Sequence, residues 1–148
     1  MRKIRKILVA VDFSEYADAV LDAAIEFAKQ FGAELHLVHA FDVRIPLVTP
    51  YEVAIPTAFI EEAREAAASK LEALVRRVSA EGVKASSHLS EVPAASAIVG
   101  QAEELRVDLI IMGTRGHTGL KHVLLGSVAE RTLRHAPCSV LTVKELSS

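Results

Sequence analysis

The sequence predicts an α/β domain built as a doubly wound, open, parallel five-stranded sheet with helices on both faces. Short apolar, β-branched runs alternate with segments of helical period in the order β-α-β-α-β-α-β-α-β, and that alternation calls for a parallel sheet. The run Val107-Asp108-Leu109-Ile110-Ile111-Met112 is apolar but for one acid, as a strand covered on both faces should be. Right-handed crossovers then give the strand order 3-2-1-4-5, which reverses between strands one and four.

Composition sets the outer limits. At 148 residues the chain has the length of one domain, so 1–148 is read as a single unit with a sizeable core. Apolar residues make up 51% and charged residues 24%, the balance of a soluble globular protein. A net charge of −2 gives no reason to expect nucleic acid or an anionic membrane as partner. The basic cluster Arg2, Lys3, Arg5 and Lys6 is too short to alter that. The single cysteine, Cys138, excludes an internal disulfide, fits a reducing compartment and reads as a small packed hydrophobe. No secretory signal is evident, because the apolar run Ile7 to Val11 meets Asp12 after five residues. No run approaches the ~18 apolar residues that span a bilayer, and the expected location is the cytoplasm.

Taken in order, Ile4 to Val11 is the first strand and ends at Asp12. Ser14 is placed to cap a helix to about Phe31, with Val20, Leu21, Ala24, Phe27, Ala28 and Phe31 on one face and Gly32 as its stop. Glu34 to Phe41 is the second strand. Residues 42–56 contain three prolines and no period, which predicts a loop or flap. Thr57 is expected to cap a long helix to about Glu81, its core face formed by Ile60, Ala63, Ala67, Leu71, Leu74, Val75 and Val78. Val83 to Leu89 makes the third strand. Pro93 opens a helix to Leu105 with Ala94, Ile98, Ala102 and Leu105 inward. After the fourth strand, Ser127-Val128-Ala129-Glu130 has the form of a capping box, and Arg131, Arg134 and His135 complement the end of that short helix. Pro137 ends it, and Cys138 to Val143 is the last strand.

Open α/β sheets bind ligands outside the carboxyl ends of their strands, at the switch point, which here brings Asp12 beside Gly113. Gly113, Gly116 and Gly119 follow at a spacing of three, and Gly126-Ser127 closes the segment. Glycines let backbone N–H groups approach an anion closely, and a helix start aims unpaired donors outward. Arg115, His117, Lys121 and His122 add cationic character. This chemistry suits phosphate; the same residues also describe a surface loop that needs turns. Asp12 is open between two roles: bonding N–H groups of the following turn, or a ligand role in which it accepts from a ribose hydroxyl or helps hold Mg²⁺ near phosphates.

Other chemistries are disfavoured. There is no Gly-Lys-Ser/Thr of a P-loop, no Gly-x-Gly-x-x-Gly after the first strand and no Gly-x-Ser-x-Gly. His36 and His39, three apart on a strand, face opposite sides and cannot share a metal; His39, nearer the crevice, reads as a structural histidine. His117 and His122 have no carboxylate or cysteine at ligand spacing, so no zinc site is expected there.

Gly113-Thr114-Arg115-Gly116, nine residues, then Gly126-Ser127 has the form G-x₂-G-x₉-G-[S/T]. Together with ILVAVDFSEYA, AELHLVHAF and the ending HAPCSVLTVK, it resembles the universal stress protein family over nearly the whole chain. The resemblance implies the 3-2-1-4-5 sheet and, in the branch bearing this glycine pattern, binding of ATP or ADP, with Mg²⁺ reached through the phosphates and Asp12. By position, Asp12 with the adjoining Phe13 and Ser14 would serve the ribose or adenine side. The backbone of Val38 or Ala40 would meet adenine. Met112, Gly113, Arg115, Gly116, His117, Gly126, Ser127 and Val128 would cradle ribose and phosphates. The family usually pairs through its last strand, so Ser139 to Val143 becomes the expected homodimer edge, consistent with an exposed apolar edge that invites pairing. One departure is Glu91-Val92-Pro93, where many relatives carry a Gly-Asp-Pro-like turn. The implied function is an ATP-binding regulatory protein of the stress response, at most a slow ATPase since no catalytic base stands out. A nucleotide-free dimeric interaction module of the same fold is the alternative. A nucleotidyl-transfer enzyme would need a signature such as His-x-Gly-His, which is missing.

Overall fold

Residues 3–41, 56–114 and 125–144 are described by the computed structural model. The elements are β1 (Lys6–Ala10), α1 (Ala17–Phe31), β2 (Glu34–Ala40), α2 (Thr57–Ala80), β3 (Ala85–Ser90), α3 (Ala94–Leu105), β4 (Leu109–Gly113), α4 (Ser127–His135) and β5 (Ser139–Val143). All five strands are parallel, in the order β3-β2-β1-β4-β5. This is the predicted fold class and strand order.

Two apolar layers follow from the pleat. Ile7, Val9, Leu35, Leu37, Leu109 and Ile111 point to one face, where α1 contributes Val20, Leu21, Ala24, Ile25 and Ala28 and α2 contributes Leu71 and Val78. Leu8, Val38, Ile110 and Met112 point to the other, under Ala97, Ile98 and Ala102 of α3 and Ala129 of α4. The acid that interrupts the fourth apolar run has a structural role. Asp108 Oδ2 accepts from the N–H groups of Arg5 (2.9 Å) and Lys6 (3.0 Å), fastening the entry of β1 to that of β4.

The helix starts depart from the side-chain caps expected of the sequence. Ser14 does not cap α1, which begins three residues later after Tyr16. Asp12 Oδ1 instead accepts from the Ser14 N–H (2.9 Å), the Ser14 hydroxyl accepts from the Tyr16 N–H (3.3 Å), and the Ser14 carbonyl accepts from the Ala17 N–H (3.1 Å). The Asx turn spans Asp12 to Ser14, with Phe13 left-handed between them, and Tyr16 already has helical dihedrals (φ −86°, ψ −11°) before α1 begins. Pro56, extended at ψ 133°, occupies the cap position of α2, so Thr57 is already helical. In α4 the extended residue is Gly126 (ψ 167°), so Ser127 is the first helical residue, no capping box forms, and Glu130 pairs with Arg134 (2.8 Å) instead. Pro93 likewise precedes α3 rather than opening it. Gly32 does end α1, at φ 64°, with its N–H on the Ala28 carbonyl. On α2 only Ala67, Leu71 and Val78 are buried; Ala63, expected inward, is exposed. Phe31, also expected on the core face of α1, is 46% exposed. The sequence-predicted loop falls mostly at 42–55, outside the described residues.

Cys138 precedes β5 and is half-buried. Burial pushes its thiol above the ordinary range, and the Asp108 carboxylate adds to the shift. The unfolded chain therefore loses this proton first as pH rises, so Cys138 subtracts stability once pH passes the ordinary thiol value. In the folded chain it is a poor nucleophile. Alkylation by iodoacetamide at pH 8, followed by intact mass, should run about tenfold slower in the native protein than in urea. Equal rates would contradict this environment.

Candidate functional site

β1 and β4 lie side by side at the switch point, and the helices that follow them, α1 and α4, pack on opposite faces of the sheet. A cavity of about 340 Å³ opens there on the α3/α4 face. Its floor is the alternate set Ala10, Val38, Ala40 and Met112 at the strands' carboxyl ends, with Val11 and Gly113 alongside. Asp12 and Thr114 stand at the ends of that floor; the first turns of α3 (Ala94, Ala97, Ile98) and α4 (Ser127, Val128) form the walls. Small side chains on the floor leave the space open, and most of the lining is apolar.

The polar side chains of the lining are those of Asp12, Thr114 and Ser127. Asp12 is the single ionisable residue lining the cavity among the described residues. The N-terminus of α4 faces the same space. By helix geometry the first-turn N–H groups of Ser127, Val128 and Ala129 have no intrahelical acceptor, and the macrodipole favours an anion before them. The Gly126 N–H donates to the Thr114 carbonyl (2.7 Å), which ties the start of α4 to the end of β4. That bond occupies a donor that the sequence reading assigned to a ligand.

Of the sequence-predicted site residues, Asp12, Val38, Ala40, Met112, Gly113, Ser127 and Val128 line this cavity together. Gly126 adjoins it without lining it. Phe13 and Ser14 are not brought to it. Phe13 takes a left-handed φ of 56°, which sends its ring to the α1/α2 face, 4.3 Å from the His39 ring centroid and under Lys70. Such a conformation in a bulky residue costs about 1–3 kcal/mol and is held by its surroundings. Ser14 is engaged in the Asx turn described above. His39 is a structural histidine, its Nδ1 2.7 Å from the Val11 carbonyl on the face away from the cavity. Arg115, Gly116 and His117, with Gly119, Lys121 and His122, lie outside the described residues. Ala10, Val11, Ala94, Ala97, Ile98 and Thr114 line the cavity without having been anticipated. Their signal was present: Ala94, Ala97 and Ile98 stand at i, i+3 and i+4 of a helix that starts over the crevice.

The model of the universal stress protein family matches residues 3–144. The chain belongs to that family. Universal stress protein MJ0531 of Methanocaldococcus jannaschii is 37% identical over 145 residues, 95% of this chain and 82% of that one. Among solved structures, the hypothetical protein MJ0577 superposes with a TM-score of 0.83 at 33% identity, covering 99% of this chain and 100% of that chain. A universal stress protein from Archaeoglobus fulgidus, solved in complex with dAMP, superposes with a TM-score of 0.65 at 26% identity over 95% of this chain and 98% of that one. In this universal stress protein the departure at Glu91 has a definite role. Its carboxylate pairs with Arg64 of α2, which also holds Glu61 (2.7 Å), so the turn before α3 is tied to α2 by an ion pair.

Proposed function

We propose that this universal stress protein is an ATP-binding regulatory protein, with the nucleotide held in the switch-point cavity and slow or no hydrolysis. The observation that carries the reading is the cavity itself, a mostly apolar slot whose lining includes one carboxylate and a helix N-terminus. Its volume of about 340 Å³ falls within the roughly 300–1,000 Å³ of small-molecule sites. Ala10, Val38 and Ala40 on the floor, with Ile98 in the wall above, offer a dry, shallow surface for a purine. Asp12 faces the ribose hydroxyls, and the α4 N-terminus with Ser127 receives phosphate. Arg115, Gly116 and His117 complete the phosphate side in this reading. The fit of an adenine nucleotide is supported by the relative that was solved with dAMP.

Mg²⁺ fits as a phosphate-bridged ion with Asp12 as its one protein carboxylate, since such ions keep most of their waters. Among the described residues no group of three His, Cys, Asp or Glu side chains could hold a metal alone. About 31 heavy atoms at roughly 0.3 kcal/mol each allow about 9 kcal/mol, near micromolar affinity. Turnover needs a base to position water, and Asp12 is already engaged by the turn that follows it. The sheet edge at β5, Ser139–Val143, is the proposed homodimer surface, because its outer backbone groups have no partner strand among the described residues.

Gly126→Leu tests the phosphate end. Gly126 has φ −71°, open to any residue, so the substitution adds bulk without backbone strain. Calorimetric titration with Mg-ATP should show at least about a tenfold loss, roughly 1.4 kcal/mol, with the chain's mass in solution unchanged. Parent-like affinity would move the phosphates elsewhere.

A further inference from the structure

On the same sheet face as the cavity, but lining none of it, β2 and β3 bring four polar side chains together. His36 Nδ1 and His88 Nε2 are 3.3 Å apart. The Ser86 hydroxyl lies 2.7 Å from His36 Nδ1 and 3.5 Å from His88 Nε2, closing a triangle of three donors. The other nitrogen of His36, Nε2, faces the Glu34 carboxylate at 2.9 Å. Lys84 Nζ stands 3.7 Å from the second Glu34 oxygen. Parallel pairing sets this arrangement, with Ser86 opposite His36 and His88 two residues further along β3, on the same face.

We propose that His36 and His88, with Ser86 beside them and Glu34 behind His36, form a site for a borderline divalent transition metal of the Zn²⁺ class. Two nitrogens bound at about 2.0–2.1 Å to one tetrahedral ion sit about 3.3–3.4 Å apart, which matches the observed pair. Glu34 holds the proton of His36 on Nε2 and thereby turns the Nδ1 lone pair toward the triangle. That is the carboxylate–histidine–metal arrangement that orients an imidazole ligand and raises its basicity. Imidazole nitrogens suit zinc, copper and nickel, whereas Mg²⁺ and Ca²⁺ prefer oxygen, so the pair discriminates against the ion that would accompany a nucleotide. The site is half-dry rather than sealed: the His36 side chain is 13% exposed and Glu34 27%, so water can enter and complete the coordination. Two imidazoles, one hydroxyl and water make an open site rather than a closed structural one.

The test is titration of the full chain with ZnCl₂, followed by calorimetry and by imidazole ¹H–¹⁵N spectra. One Zn²⁺ per chain should bind, with the His36 and His88 ring nitrogens shifting together. His88→Gln should weaken binding at least about tenfold, and Glu34→Gln by about 10–100-fold through loss of the carboxylate that orients His36. A His117→Gln/His122→Gln double variant should bind as the parent does. Zn²⁺ bound equally well by His88→Gln, binding lost in the His117/His122 variant, or no shift of the two rings at millimolar metal would each overturn the site. Circular dichroism of each variant separates lost ligation from lost folding.

Discussion

Ala40→Phe is expected to remove nucleotide binding while leaving the fold intact. Ala40 ends β2 on the cavity floor, half-buried, with its side chain directed to open space beside Val38. A phenyl ring there projects into the cavity assigned to the purine, whereas overpacking a closed core has no such space to fill. Loss of base stacking and burial should weaken ATP at least about 100-fold, roughly 2.7 kcal/mol. The unfolding midpoint should stay within a few degrees of the parent's, and Ala40→Ser should keep most of the affinity. Undiminished ATP affinity in Ala40→Phe would place the base outside this cavity. Gly126→Leu probes the other end, so the pair locates the two halves of the ligand separately.

The second large effect is on stability. Leu71→Ala should cost about 3–5 kcal/mol, because Leu71 is 1% exposed and packs in the α1/α2 layer. It is one of only three buried residues on the 24-residue α2, so few other side chains hold that helix to the sheet. For a chain of this size the thermal midpoint should fall by roughly 10 °C. Ala63→Ser is the matched control; Ala63 is exposed, and its change should stay within about 0.5 kcal/mol. Comparable losses in both would mean that α2 is rotated from the position described, with Ala63 inward as its spacing suggested.

Much of the candidate site was legible because the strand period and the strand order decide it. Once Ala10, Val38, Ala40 and Met112 are assigned to parallel strands in the order 3-2-1-4-5, a period of two puts them on one face, and the switch point gathers them. The same parity accounts for His36 and His39 facing apart: His36 meets Ser86 and His88, while His39 meets Val11 and Phe13. What escaped the sequence were choices made by the backbone. Nothing in Asp12-Phe13-Ser14 announces that a phenylalanine will adopt a left-handed conformation, and that turn takes Phe13 to the opposite layer. Ser14, Thr57 and Ser127 had the chemistry of caps. The extended residues at Pro56 and Gly126 took the position at α2 and α4, and the Asx turn displaced it at α1. Of the α3 residues in the cavity wall, helical spacing marks Ala94 and Ile98 as inward and passes over Ala97, although Ala97 and Ile98 are both core as well. A helix start that overhangs a crevice serves both purposes. The cross-strand pair of His36 with His88 needed the register of β2 on β3, which no local pattern encodes.

The measurement that bears most directly on the account is the identity of small molecules released from freshly purified protein. Wild type and Ala40→Phe would be prepared in parallel, denatured, and the supernatants analysed by chromatography and mass spectrometry. Wild type should release an adenine nucleotide in near-stoichiometric amount, and Ala40→Phe little or none. A wild-type protein that releases none and gives no heat on titration with Mg-ATP would contradict it. The switch-point cavity would then belong to the nucleotide-free interaction module.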